Sequence, residues 1–370
     1  MPSKTVDVRE SPGFVQDRVA HHLKDSAFTD VSNAVFTENG AESRSGNLQT
    51  FSTPLTSPTW LWPFPPITNP TWVYADSTKV YALNGATHVD ITRVSSDYST
   101  SSEQRWHAGV FNGVGVLNNT TDIPQAWTSF DTSTLLVDLA NWDSNRRCKS
   151  LRPFKNFLVA LNMTDTGIDR PYRVVWSDSA APGTLPGSWD TTDPTTDARE
   201  FDLAETSDHL VDSLPLGDIN IIYKENSTWG MQYIGPPFYF RFWKILSTRG
   251  LLHRDCVVAS PIGHIAATQD DIIVHTGQME QHQSIVDKRT RKWLFSTIDP
   301  DNFFNSYAVS YTKRNEFWFC FPEVGETYAT AALIWNWSQN SIGFEYFDRP
   351  FPFITMGSVG ESTVADLEWG

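Results

Sequence analysis

The densest cluster of ionic side chains in this chain is Lys288-Arg289-Thr290-Arg291-Lys292, with Trp293 and Phe295 following. Four cations in five residues suit contact with an acidic protein surface or with DNA phosphate, because each Lys or Arg that neutralises a phosphate releases a condensed counterion. A solvated loop is the plainer use of the same residues. Other short patterns carry less chemistry. His253-Arg254-Asp255 spells a kinase catalytic-loop triplet, but no glycine-rich phosphate loop, strand lysine or Asp-Phe-Gly accompanies it. Gly113-Val114-Gly115 lacks the third glycine and the helix of a dinucleotide turn, so it reads as a hairpin. The nine His include one adjacent pair, His21-His22, and no His/Cys/carboxylate spacing resembles a zinc site.

Ser177-Asp178, Gly183-Thr184 and Trp189 form a loose relative of the Asp-box turn of sialidase blades, in which the Asp caps backbone donors and is structural. A glycosidase needs two facing carboxylates, and no arginine cluster for a carboxylated sugar can be placed. No catalytic, cofactor or metal residue is expected. The candidate contact residues for a partner or for DNA are Lys288, Arg289, Arg291 and Lys292.

The elements that must carry these residues repeat. A hydrophobic strand, a tight Asn/Asp turn and a second apolar strand recur around Asn112, Asn156, Asp218, Asp270 and Asn315, at steps of 44, 62, 52 and 45 residues. A weaker copy surrounds Asp76. One sheet-sized unit repeated at roughly 40–50 residues marks a propeller or another stacked array of small sheets. Composition agrees: 15 Trp and 23 Phe pack well on pleated surfaces, while 22 Pro and 21 Gly supply turns. The best helical stretch, near Asp17 to Lys24, spans about two turns and is marginal alone. We therefore expect an all-β fold, a β-propeller of about six blades.

Three regions follow: an N-terminal arm over 1–57, the propeller over 58–357 and a C-terminal tail over 358–370. In the arm, Thr29–Phe36 and Gly46–Phe51 read as extended stretches, with the hairpin signal Asn39-Gly40 between them. A strand from this arm beside the last repeat is expected to help close the ring, since closure removes exposed sheet edges. Residues 177–206, rich in Pro, Thr and Asp, lack strand character and read as a long inserted loop. Phe317–Phe321 is apolar on both faces and reads as a strand sandwiched between sheets.

A formal net charge of −15 argues against a general nucleic-acid binder, which needs basic surface, but does not exclude a protein that surrounds DNA without gripping it. There is no apolar run of the ~18 residues a membrane span needs, so no membrane insertion is expected, and no charged-then-apolar leader at Met1. Cys148, Cys256 and Cys320 are odd in number and lie among apolar residues, which reads as buried thiols rather than a disulfide framework. The sequons at Asn119, Asn162, Asn226 and Asn336 mean little without a secretion signal.

Several segments resemble the tail nozzle proteins of short-tailed phages, also called tail tubular protein B or packaged-DNA stabilisation proteins. They are Phe28–Phe36 with Gly40 and Arg44-Ser45-Gly46, Phe154–Thr164, Arg173–Ser177, Leu214–Asp218, Ile222–Glu225 and Asn315–Pro322. The likeness covers roughly residues 28–350, and the order and spacing of the segments are more specific than any one of them. The resemblance implies a bacteriophage virion protein made in the host cytoplasm. It implies a β-propeller subunit in a ring of copies, a homohexamer, below the portal and adaptor. Such a ring extends the channel for double-stranded DNA, retains the genome until ejection, and meets the adaptor and other tail proteins such as a fibre or needle. The chain is short for that family and shows no clear extra C-terminal domain. The competing class is a carbohydrate-binding or carbohydrate-cleaving propeller, a receptor-binding tail protein, with Trp60, Trp62 and Trp189 as sugar platforms.

Overall fold

The structure, a computed structural model, describes residues 11–37, 40–44, 51–66, 70–101 and 103–357. The tail 358–370, the turn residues Glu38-Asn39 and the expected extended residues Gly46–Thr50 lie outside the described residues. A hairpin of β1 (Ala34–Thr37) and β2 (Gly40–Ser43) comes first. Six four-stranded sheets in a ring then form a six-bladed β-propeller.

Blade 1 is β3 (Trp60–Phe64), β4 (Thr71–Ala75), β5 (Val80–Asn84) and β6 (Thr87–Asp90). Blade 2 is β7 (His107–Phe111), β8 (Val114–Asn118), β9 (Gln125–Trp127) and β10 (Val137–Asp138). Blade 3 is β11 (Arg146–Phe154), β12 (Phe157–Asp165), β13 (Ile168–Trp176) and β14 (Arg199–Asp202). Blade 4 is β15 (Leu210–Leu216), β16 (Ile219–Lys224), β17 (Thr228–Gly235) and β18 (Tyr239–Leu246). Blade 5 is β19 (Val257–Ser260), β20 (Gly263–Ala267), β21 (Ile272–His275) and β22 (Gln283–Ser284). Blade 6 is β23 (Tyr307–Tyr311), β24 (Glu316–Phe321), β25 (Ala329–Asn336) and β26 (Ser341–Phe351). Each blade is an antiparallel meander of consecutive strands. One short helix, α1 (Arg291–Thr297), follows blade 5.

Strand character follows burial. The second strand of each blade has neighbours on both faces and is mostly apolar: in β24, every residue from Glu316 to Phe321 is buried. Fully burying one such Phe contributes about 2 kcal/mol. Outer strands have one covered face or none, and β10, β14 and β22 are short and polar, whereas β18 and β26 run for 8 and 11 residues. Short outer strands such as β10 and β14 therefore carry little apolar signal in the sequence. Residues 177–206 are corrected accordingly, because Arg199–Asp202 is the outer strand of blade 3, with Val174 opposite Phe201. The remainder of that loop is packed, with Trp189 buried against Trp142 at 4.6 Å between ring centroids.

The repeat also changes phase. Turns at Asn112, Asn156, Asp218 and Asn315 join the first two strands of their blades, whereas Asp270 and Asp76 lie between strands further along theirs, β20–β21 and β4–β5. In blade 5 the first hairpin turns at Pro261-Ile262, which has no Asn or Asp to mark it. The uneven steps of 52 and 45 combine two turn types.

The described residues fall into two compact units, one drawn from 1–47 and 251–352, the other from 48–250 and 353–369. In the second unit the first strands of successive blades abut, β3 on β7, β7 on β11 and β11 on β15; in the first unit β19 abuts β23. Residues 1–47 of the arm belong to the first unit. Among the described residues they add no ladder strand to blade 6, which has its own four; Gly13 makes an isolated bridge to Ile342 of β26, and β1 and β2 form a separate two-stranded sheet beside β26.

Candidate functional site

The basic run is where the arm docks. Arg289 is largely withdrawn from solvent. Its guanidinium donates to the Pro12 carbonyl and to Asn340, at 3.1 Å to the side chain and 2.9 Å to the backbone oxygen. Its own carbonyl accepts the N–H groups of Gln16 and Asp17 at 2.7 and 2.8 Å. Burial, with Arg18 adding like-charge repulsion, pulls Arg289 down to about 10. Arg291 turns the other way, donating to Asp270 at 2.6 Å and lying 3.8 Å from Asp271. Lys288 and Lys292 are exposed, and Arg18 of the arm joins them by donating from Nε to the Lys288 carbonyl at 2.8 Å. Of the four expected contact residues, two hold the fold and two face solvent.

Docking is specific because each end of the arm meets a different need. Thr290, the N-cap of α1, makes no capping side-chain bond; Asp17 instead accepts the Lys292 and Trp293 N–H groups at 2.7 and 3.1 Å. These are first-turn donors that have no partner within the helix. Phe14 packs on Trp293 and Phe344, at 4.9 and 5.9 Å between centroids. Gly13, at φ 75°, forms a parallel bridge with Ile342, and a Cβ there would stand 2.0 Å from the Ile342 carbonyl oxygen. Only glycine satisfies both constraints.

Further along the arm, Arg44 is buried between Glu345 at 2.6 Å and Glu316 at 3.4 Å, with its guanidinium 4.6 Å from the Trp318 ring centroid. An open groove of about 550 Å³ runs beside it, between the β1–β2 hairpin and the Arg314-Asn315 and Ser338-Gln339 turns of blade 6. Sequence reasoning did not find Asp17, Phe14 or Arg44 as docking residues. Their partners lie more than two hundred residues away, and no local pattern marks such a pairing.

The remaining patterns are structural. His253-Arg254-Asp255 is an inter-blade linker whose Asp255 carbonyl accepts the Ala308 N–H at 2.7 Å. Asn112 and Gly113 make the expected hairpin turn with φ of 51° and 86°, and Gly115 leaves room for Phe64, Trp127 and Phe130. Asp178 caps the Ser179 and Asp197 N–H groups at 3.0 and 2.9 Å, the role expected of an Asp-box residue. His21 and His22 are exposed on a single 3₁₀ turn. Cys148, Cys256 and Cys320 are buried, and burial pushes the Cys320 thiol well up. Trp60 and Trp189 are core residues, so neither is an open sugar platform; Trp62 is half-buried and stacks on Trp60 with centroids 6.4 Å apart. Among the described residues no group of three or more His, Cys, Asp or Glu is placed to hold a metal ion, and no helix is long and apolar enough to cross a membrane.

No family profile and no curated protein matches the chain. Among solved structures it is similar to the computationally designed Ika8 protein, with a TM-score of 0.46 at 12% identity over 85% of this chain and 94% of that one. It is also similar to PorZ, a bacterial surface component of the type-IX secretion system of Porphyromonas gingivalis, with a TM-score of 0.42 at 9% identity over 79% of this chain and 33% of that one. The designed Ika4 protein matches over 54% of this chain and 99% of its own length, with a TM-score of 0.31 at 12% identity.

Proposed function

We propose that this chain is a structural subunit of a phage tail nozzle. In this reading a ring of six copies continues the DNA channel of a short tail, holds the packaged genome and conducts it at ejection. The observation that carries it is where the resembling segments fall. They lie, in chain order, on the arm docked to blade 6, the β11–β12 hairpin, the end of β13, the β15–β16 hairpin and β24. These elements set the packing of their blades, so their order and spacing are tied to this architecture.

Charge supports the same reading. A conduit should not bind the duplex strongly, since every phosphate contact adds friction to passage. With a net charge of −15 the subunit repels DNA and keeps it centred. The role needs no chemistry, and the protein acts passively. The carbohydrate reading loses two of its three platforms, with Trp60 and Trp189 in the core.

The test is electron microscopy of the purified full chain, with native mass spectrometry of virion tails. Closed rings of six are expected. Monomers or dimers alone, in both preparations, overturn the reading.

A further inference from the structure

Two exposed surfaces remain after the core and the arm are accounted for, and they complement each other. The first is the β17–β18 hairpin tip, where Ile234 and Phe238 are 50% and 74% exposed beside Pro236-Pro237. Its backbone is strained: Tyr239 sits at φ 58°, and the Phe240 N–H closes back on the Phe238 carbonyl at 2.7 Å. A bulky residue in that region persists only where its surroundings over-determine it. Here they do. Arg199 lies 5.5 Å from the Tyr239 ring and donates to the Asp193 and Thr196 carbonyls at 3.0 and 2.9 Å, tying the tip to the acidic loop that carries Asp190 and Asp193. The result is a rigid apolar tip with an acidic flank.

The second surface has the opposite sign. Arg18, Lys288 and Lys292 are exposed around Val19, itself 55% exposed, and the half-buried Phe295. The arm brings Arg18 and Val19 to this place. Apolar centres with charged rims of opposite sign are how specific interfaces are built: the centre excludes water, and the rim steers and sets register.

We infer that the β17–β18 tip of one copy docks on the Arg18–Lys288–Lys292 surface of a second copy, Asp190 and Asp193 facing the cations. The inference rests on the ring reading above and names the contact that makes the ring. Such a contact joins two different patches, so it is head-to-tail and generates rings where the rotation closes. It also gives the arm a second task, because the cationic surface is complete only when the arm is docked.

The experiment is a charge swap on the full chain, read by sedimentation velocity and native mass spectrometry, with circular dichroism to confirm folding. Copies carrying Lys288→Glu with Lys292→Glu repel each other at this contact, as do copies carrying Asp190→Lys with Asp193→Lys. Each variant alone should associate about tenfold or more weakly than the original. An equimolar mixture restores both rims in alternation and should recover association, which a merely structural lesion does not do. Phe238→Ser should weaken association without rescue by mixing. Rings that persist unchanged in every variant overturn the docking surfaces and leave the ring standing, as does a mixture that stays dissociated. An original chain that is monomeric at all concentrations and in virion tails overturns both.

Discussion

Arg152, which is half-buried, and Arg44, whose side chain is buried, both face carboxylates, yet they join very different things. Arg152 on β11 makes a bidentate pair with Asp212 on β15, at 2.9 and 2.6 Å, and the Ser150 hydroxyl donates to the same carboxylate at 2.6 Å. Those strands already abut as neighbouring first strands, so the pair consolidates a contact that the repeat imposes. Arg44 reaches Glu316 across 272 residues of chain, and nothing in the blade topology brings it there. The arm is held by contacts of its own: this pair, the Phe14 and Asp17 side chains, and backbone bonds to Arg289 and Ile342. The same chemistry thus serves cohesion in one place and recruitment in the other, and damage should spread differently from each.

The largest effect is expected at Asp212. Replacing it with Ala removes the buried carboxylate that Arg152 and Ser150 both bond, at a cost of about 3 kcal/mol. The loss should appear as a lower urea midpoint for the whole unfolding transition with little change in slope. The acid limb gives a second reading. Burial alone pushes the Asp212 carboxyl up, but the Arg152 charge and its hydrogen bonds outweigh this and hold it below the usual carboxylate value. A group depressed in the folded state stabilises above its unfolded value of about 3.9 and loses that contribution as pH falls through its folded value. The original protein should therefore lose stability below about pH 4 more steeply than Asp212→Ala. Parallel acid limbs for the two proteins count against the pair as a source of stability.

Phe14 tests the other joint. Phe14→Ala empties the space between Trp293 and Phe344, at a cost of about 3 kcal/mol. The effect should be local: hydrogen exchange should rise across residues 11–44 and α1, while β11–β13 and β15–β17 stay protected. Uniform loss of protection across the blades instead makes the arm part of one cooperative unit with them, and the contrast with Asp212 disappears.

The same contrast decides what the sequence reveals. The Arg152–Asp212 joint lies inside a periodic pattern, and the period alone places β11 and β15 in neighbouring blades. Apolar second strands such as Phe317–Phe321 are legible because they are covered on both faces. Outer strands such as Arg199–Asp202 are not, since they are polar, short and preceded by a loop. Blade 5 is found out of phase because Pro261-Ile262 turns without Asn or Asp. The docking of the arm leaves no local trace at all. Gly13, Phe14 and Asp17 each fit a constraint set by residues near the other end of the chain, and the basic run that receives them reads by itself as a solvated loop or a partner surface.

Asp17 gives the smallest effect and the finest discrimination. Its carboxylate caps two N–H groups at the start of α1 from 275 residues away, where Thr290 supplies no side-chain bond. Removing a capping side chain typically costs about 1 kcal/mol, so Asp17→Ala should lower the midpoint slightly, while Asp17→Asn, which keeps one acceptor, should lose less. If capping is the whole role, exchange at Lys292 and Trp293 rises and the arm stays docked, because Phe14 and the Gly13 bridge still hold it. If Asp17 also registers the arm, exchange at Phe14 and Val15 rises with it, and Arg18 no longer stands beside Lys288. That second outcome ties a one-residue cap to the exposed cationic surface, so self-association should weaken in Asp17→Ala although no residue of that surface has changed.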